Sequence, residues 1–292
     1  MTSILEERRH ATTGHGGVVA RLSYVLPDGT TPVSYAYPPP DGHPWESARF
    51  EDVPMHIADA RRAAGLPSLH ECGFGLFDAP SAVRDFEDPA ELRARYEPEL
   101  VELALAATQG RAAWVFDHLV RKRDPAQPTL SFGRTVRGSA PTANGRVHND
   151  YTEASGQRRL RLVLADEALA GAVARYCIVN VWRPLAHPVL DAPLAVCDAR
   201  SVTPGDAVVG EVRYPRRRGE IYLYRHAARH RWYYYPGMRP HETLVFKQYD
   251  SAEGVARYTP HAAFELPDIP PGTPPRQSIE ARILVVMEWR QP

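Results

Sequence analysis

A histidine and an aspartate one residue apart, in His148-Asn149-Asp150, constrain this chain more than any other feature, because they work as a unit only if a distant ligand folds back to meet them. On extended backbone alternate residues point the same way, so His148 and Asp150 share a face. His261 stands 111 residues beyond Asp150 (261 − 150), ample chain to return and complete a two-histidine, one-carboxylate triad. Such a triad leaves open positions on a six-coordinate metal, which oxygen-activating non-haem Fe(II) requires. In a chain with 12 histidines the pair by itself is weak, and a surface strand is the competing reading. His230 is the alternative third ligand to His261.

What strengthens the triad is the segment that follows His261. A Pro-rich loop, Phe264 to Pro275, leads into a final strand in which Ile279, Ala281, Ile283, Val285 and Met287 occupy one face. Arg276, Ser278, Glu280 and Arg282 share the other, so one face meets a hydrophobic layer and the other would line a pocket. Arg276 and Ser278 together offer a planar fork and a short hydroxyl to one carboxylate. In an iron site the natural guest is the distal carboxylate of 2-oxoglutarate, whose keto-acid end would chelate the metal. Arg282 is the competing anchor, about 20 Å further along the strand at ~3.3 Å per residue.

These residues fall within blocks that resemble a known family: His148-Asn149-Asp150-Tyr151, Asn180-Val181-Trp182-Arg183-Pro184, Phe246 to Ser251, Pro260 to Glu265, and Pro274 to Arg282. The chain resembles, from about Gly73 to Met287, the oxygenase-like group of a fungal gibberellin desaturase, the hydroxylase/desaturase of an aspergillic-acid-type pathway, and the small component of cephalosporin 7α-methoxylation. Asp85-Phe86 and Tyr96 to Glu99 match the same group upstream. The resemblance implies a double-stranded β-helix, or jelly roll, that uses Fe(II), 2-oxoglutarate and O2 to hydroxylate, desaturate or oxidatively cyclise a small secondary metabolite. It implies His148, Asp150 and His261 as iron ligands and Arg276 with Ser278 as the oxoglutarate anchor. Asn149, where an apolar residue is expected, and His241-Glu242, where Asp-Glu is commoner, depart from the pattern. The alternative function is a non-catalytic jelly roll assisting a partner enzyme such as a methyltransferase.

Charge is balanced, 35 basic against 35 acidic residues, so no global field selects nucleic acid or an anionic membrane. The runs Arg121-Lys122-Arg123 and Arg216-Arg217-Arg218 read as solvated loops or helix ends. No apolar stretch is long enough for a transmembrane helix, and the charged Met1 to His10 segment does not read as a signal peptide. Three widely spaced cysteines suggest reduced thiols in a cytoplasm, with Cys177 and Cys197 buried as small hydrophobes. A small-molecule substrate is the expected partner, and a homodimer is a candidate assembly.

The expected architecture is mainly β with flanking helices: an N-terminal arm over 1–70 packed on a jelly-roll domain over 71–292. Val53 to Ala64 reads as a short helix, Pro89 to Gln109 as a longer one, and Trp114 to Arg123 as either strand or helix. Candidate substrate-binding residues are Asn180 and Trp182 on one strand face, Arg183 on the other, Tyr234 in the aromatic strand Trp232 to Tyr235, and Lys247. Core packing competes for Trp182 and Tyr234, and ion pairing for Arg183 and Lys247.

Overall fold

A computed structural model describes residues 16–63, 65, 68–124 and 143–291. Met1 to His10 therefore lies outside the described residues. Fourteen strands form two sheets: β1 Gly17–Leu26, β2 Val33–Tyr35, β3 Arg49–Asp59, β4 Phe74–Asp78, β5 Ala112–Lys122, β6 His148–Asn149, β7 Val173–Pro184, β8 Leu194–Cys197, β9 Ala207–Arg213, β10 Arg218–Tyr224, β11 Trp232–Tyr234, β12 Glu242–Asp250, β13 His261–Ala263 and β14 Gln277–Trp289. The larger sheet runs β1-β3-β11-β8-β13-β6-β10-β9-β2 and the smaller β4-β12-β7-β14-β5. They curl against each other as a jelly roll flanked by helices. Strands of the segment read as an arm are built into this sheet, with β3 pairing β11 in parallel and β2 pairing β9.

Period-two patterning explains both sheets. Cys177, Val179 and Val181 of β7 face outward with Ile279, Ala281, Ile283, Val285 and Met287 of β14, against Leu100 and Ala104 of a helix. That helix is a continuous run of α2 Pro89–Glu91, a π-turn over Leu92–Tyr96 and α3 Glu97–Thr108, which follow α1 Leu69–Cys72. The wide turn falls just before Pro98, whose missing N–H and ring cannot be accommodated by a regular turn. Ile178, Asn180 and Trp182 take the opposite, inward face. Burying both faces of β7 requires a nearly unbroken apolar run, which Val173 to Pro184 supplies.

Of the helix expected from Val53 to Ala64, Val53 to Asp59 is instead the second half of β3, and Ala64 lies outside the described residues. Met55 and Ile57 are buried while Pro54 and His56 are not, an alternation that suits a sheet and not a helix. Pro54 lies outside the stretch that β11 pairs, Ile57 to Asp59, so its lack of a donor costs nothing on that side. Trp114 to Arg123 resolves as strand β5, fixed by antiparallel pairing along β14. All three cysteines are free and buried, and burial pushes the Cys177 and Cys197 thiols up to about 12.

Helix α4, Glu153–Leu164, follows Asp150 after two residues and precedes the short α5, Glu167–Gly171. Thr152 caps α4, accepting from the Ser155 N–H at 3.1 Å. Gly156 lies against the fully buried Tyr249, and a Cβ there would come within 2.6 Å of the ring. Tyr249 cannot yield, because its hydroxyl donates to Glu153 at 2.8 Å and Tyr176 and Tyr258 flank it. Gly156→Ala is expected to lower unfolding free energy by about 1–3 kcal/mol despite the better helix propensity of alanine, read as a shift in urea midpoint.

Candidate metal centre and its pocket

The two histidines meet because their strands are neighbours. β13 pairs β6 with His261 directly opposite His148, and the ring centroids are 4.2 Å apart. Each ring is oriented by its own backbone: His148 Nδ1 donates to the Arg146 carbonyl at 2.7 Å, and His261 Nδ1 to the Thr259 carbonyl at 3.2 Å. Those bonds place the proton on Nδ1 and turn both Nε2 lone pairs toward the site, where that of His148 accepts from Asn144 Nδ2 at 3.2 Å, a bond that a metal would replace. Asp150 follows the end of β6, its Oδ1 3.4 Å from His148 Nε2. Its other oxygen is occupied, since Oδ2 accepts from Asn180 Nδ2 and Arg282 Nε, both at 2.9 Å. Asp150 thus offers one oxygen to a metal and is held by the other.

Ligand atoms of His148, Asp150 and His261 all lie within 4.8 Å of one another. With metal–ligand bonds of ~2.1 Å, adjacent ligands of an octahedron stand about 3 Å apart, so small adjustments close this set on an ion. Two neutral imidazoles and one carboxylate on one side suit Fe(II) with open positions for co-substrate and O2. The residues present therefore fit the metal implied by the sequence. His230 is not part of the group: it lies against Tyr24 and Asp206, its Nε2 3.3 Å from Asp206 Oδ2.

Burial by itself would raise the Asp150 carboxyl, but the Arg282 guanidinium and the two imidazoles outweigh it and hold the group well below the usual carboxylate range. Burial first, and then the neighbouring His148, depress His261 to about 3. Both shifts keep the ligands in their metal-binding forms at neutral pH.

Asn149 explains its departure from an apolar residue. It points away from His148 and is fully buried, donating to the Tyr151 and Gln248 carbonyls at 2.7 and 2.8 Å and accepting from the Thr259 N–H at 3.2 Å. This amide ties the His-x-Asp turn to the residue two before His261. Gln248 accepts from the Asp150 N–H at 2.8 Å, from a bulge in β12 that turns it toward the turn. Sequence reading missed Asn149 and Gln248 as braces because neither carries a metal-ligand signal.

Arg276 is buried immediately before β14, its backbone N–H donating to Asp191 Oδ2 at 3.0 Å and its Nη1 to the Ala192 carbonyl at 2.7 Å. The guanidinium lies 5.6 Å from the Trp182 ring centre. A narrow pocket is lined jointly by His148, His261, Trp182, Arg276, Glu280 and Arg121. Arg121 stands opposite Ser278 in the β5–β14 register, so the basic run read as solvated in fact alternates, with Arg121 inward. Period two along Trp114 to Arg123 was the signal available. Burial, reinforced by Arg121, lowers the Arg276 guanidinium to about 10. Ser278 Oγ is buried with no hydrogen-bond partner.

Other sequence-predicted residues have different roles. Asn180 and Arg282 face each other across β7 and β14 and both hold Asp150, Asn180 through Nδ2 alone, its buried Oδ1 having no hydrogen-bond partner. Arg282 also pairs with Asp117 at 2.8 Å and Glu280 at 2.9 Å. Arg183 turns outward as expected, donating to the Ala79 carbonyl at 2.7 Å and lying over Tyr96. Tyr234 packs on Phe264 with Trp232, Ala195 and Ala262, on the sheet face opposite the histidines. Lys247 is fully buried and its ammonium meets Asp250 at 2.6 Å. The Gln248 bulge reverses the expected sharing of one face by Lys247 and Tyr249. Arg183, Tyr234 and Lys247 thus lie outside the pocket that His148 and His261 line.

Lys247→Met is expected to leave Asp250 with Arg175 alone and destabilise the fold by about 3 kcal/mol, while KM for any substrate stays unchanged; a raised KM at unchanged stability would reverse the assignment. In the metal-free protein, the unfolded chain takes up a proton on residue 261 between its ordinary value near 6.5 and the folded value of about 3, where the folded chain does not. Stability should therefore rise with pH across that window and be lost on acidification, by up to about 1.4 kcal/mol per pH unit. Urea midpoints measured from pH 4 to 7 should show a shallower slope in His261→Gln.

Comparison with known proteins agrees with this geometry. A family profile described as "Oxidoreductase/YMDC permease-like domain" matches residues 22–286; no helix among the described residues is long and apolar enough to cross a membrane. The chain is 31% identical over 256 residues to the hydroxylase/desaturase efuI of Hormonema carpetanum, covering 82% of this chain and 85% of that one. It is 33% identical over 228 residues to the alpha-ketoglutarate-dependent dioxygenase phiK of a fungal species, covering 75% and 79%. The solved iron and alpha-ketoglutarate-dependent endoperoxidase NvfI superposes with a TM-score of 0.81 at 25% identity, covering 93% of this chain and 98% of that one. With its His148-Asp150-His261 triad on the shared fold, the chain belongs to this oxidoreductase family and is an Fe(II)/2-oxoglutarate-dependent dioxygenase of small metabolites.

Proposed function

We propose that the two ends of the triad serve different partners: Arg276 and Ser278, with Arg121 beside them, anchor the distal carboxylate of 2-oxoglutarate, and the Asp150 side admits the substrate. The observation that carries the anchor is a buried guanidinium that forms no ion pair among the described residues, next to a buried hydroxyl with no partner. Arg121 nearby adds to the burial that depresses the Arg276 guanidinium, so an anion at Arg276 would offset both. Trp182 under Arg276 and Leu194 beside it limit water in this pocket, where a charge-assisted hydrogen bond is stronger than in bulk solvent.

When bound, Fe(II), 2-oxoglutarate and O2 supply the oxidation of an unactivated C–H bond, with the keto acid converted to succinate and CO2. The protein's own work is positional. His148, Asp150 and His261 would hold the metal, with imidazole lone pairs fixed by the Arg146 and Thr259 carbonyls and the carboxylate by Arg282 and Asn180. Hydroxylation, desaturation and cyclisation share this first oxidation and differ in how the substrate is held afterwards. An accessory role has no use for a preorganised triad beside an unpaired buried arginine.

Adding Fe(II) and then 2-oxoglutarate to the metal-free protein without oxygen should give a weak visible charge-transfer band. His261→Ala should abolish the band, and Arg276→Gln should raise the 2-oxoglutarate concentration needed by about 10- to 100-fold while leaving Fe(II) binding intact. Folded, iron-saturated protein with no band would end the oxoglutarate reading. An unshifted Arg276→Gln titration would end the anchor assignment alone.

A further inference from the structure

On the far side of Asp150 from Arg276 a second cavity, of about 540 Å³, opens beside Arg282 and Tyr151. One wall is helix α4, which contributes Ser155, Arg158, Arg159 and Leu162, a spacing that puts all four on one helical face. Two residues, Tyr151 and the Thr152 cap, separate this wall from Asp150, and Tyr249 and Arg257 hold its first residue, Glu153, so its distance from Asp150 is set by the fold. Phe116, Leu162, Val212 and Ile221 give the cavity an apolar lining suited to a carbon skeleton.

Cations outnumber anions on the lining: Arg158, Arg159, Arg217, Arg218 and Arg282 against Asp117, Asp150 and Glu220. Most are already neutralised. Arg282 holds Asp150 and Asp117, Arg158 faces Glu220 at 3.6 Å, and Arg218 faces Glu211 at 3.8 Å. Arg159 differs. Its guanidinium lies 4.8 Å from the Phe116 ring centre and 5.8 Å from that of Tyr151, its Nε is buried without a hydrogen-bond partner, and it forms no ion pair among the described residues. Two aromatic rings hold the fork in a defined orientation while leaving its donors unused.

We infer that this enzyme acts on an organic acid, an apolar skeleton carrying a carboxylate, and that Arg159 is the residue that reads the carboxylate. A carboxylate accepts two parallel N–H bonds from a guanidinium, a match that an ester or amide cannot make. Pairing with Arg159 would anchor one end of the skeleton against α4 and present carbons further along to the metal beside Asp150. The inference rests on the proposed function for the chemistry at the metal, but not for the binding preference.

The test uses full-length protein loaded anaerobically with Fe(II) and saturating 2-oxoglutarate, so that the Arg276 pocket is filled and no turnover occurs. 2-Naphthoate and 2-naphthamide, matched in size, are titrated by calorimetry. The acid should bind about 10- to 100-fold tighter than the amide. Arg159→Gln should erase that preference, Arg159→Lys should keep part of it, and Arg158→Gln should keep it all, since Arg158 already faces Glu220. Equal binding of acid and amide, no binding of either, a preference that survives Arg159→Gln, or one lost equally in Arg158→Gln would each overturn the inference. The charge-transfer band in the same samples reports separately on the oxoglutarate reading: a band without an acid preference sinks only the Arg159 assignment, and a preference without a band sinks only the oxoglutarate one.

Discussion

Asp150 is the joint on which the site depends. Its Oδ2 is held by Arg282 and Asn180, which project from the smaller sheet, while its backbone belongs to the turn that leaves the larger one. A carboxylate between two sheets would be costly to bury alone; with a guanidinium and an amide on one oxygen, the other can remain ionised and available. The same contacts fix the spacing of the sheets at the point where the histidines of β6 and β13 meet. Metal site and jelly-roll closure are thus one structural problem with one solution.

From that joint the pocket extends in two directions with different chemistry. Toward Arg276 it is narrow, lined by two arginines and Glu280, with an unpartnered hydroxyl. Toward α4 it is wide, with apolar walls and the Arg159 guanidinium held between two aromatic rings. An enzyme that binds a keto-acid co-substrate and a separate organic substrate at one metal must keep the two from exchanging places. Under the proposed assignments pocket width would do so even where both guests carry carboxylates, because the pocket beside Trp182 and Arg276 is the narrower of the two.

Much of the fold and of the metal site is legible in the residues themselves. Alternation along Ile279 to Met287 correctly assigns one face of β14 to a hydrophobic layer and the other to the polar site, and the spacing of His148 and Asp150 places both on one side. Errors arise where the regular period breaks. The bulge at Gln248 moves Lys247 off the face of Tyr249 and into an ion pair with Asp250, and no residue type around it announces a bulge. Arg121 reads as solvated because charge runs usually are, although its strand alternates and carries it inward.

The sequence by itself determined the His148-Asp150 pair, the strand-rich class of fold and the polar face of the last strand, because these follow from residue type and from the two-residue repeat of extended backbone, whereas the pairing of β13 with β6 chose His261 over His230. Only the tertiary structure decided which neighbours each arginine meets. Arg276, Arg282, Arg121 and Arg159 are chemically identical, and their roles differ through neighbours distant in the chain: Trp182 and Ala192, Asp150 and Asp117, Ser278 across the strand, and Phe116 with Tyr151. A guanidinium's function is set by which of its donors are already taken, and that is a property of contacts between strands, which spacing along one chain does not encode.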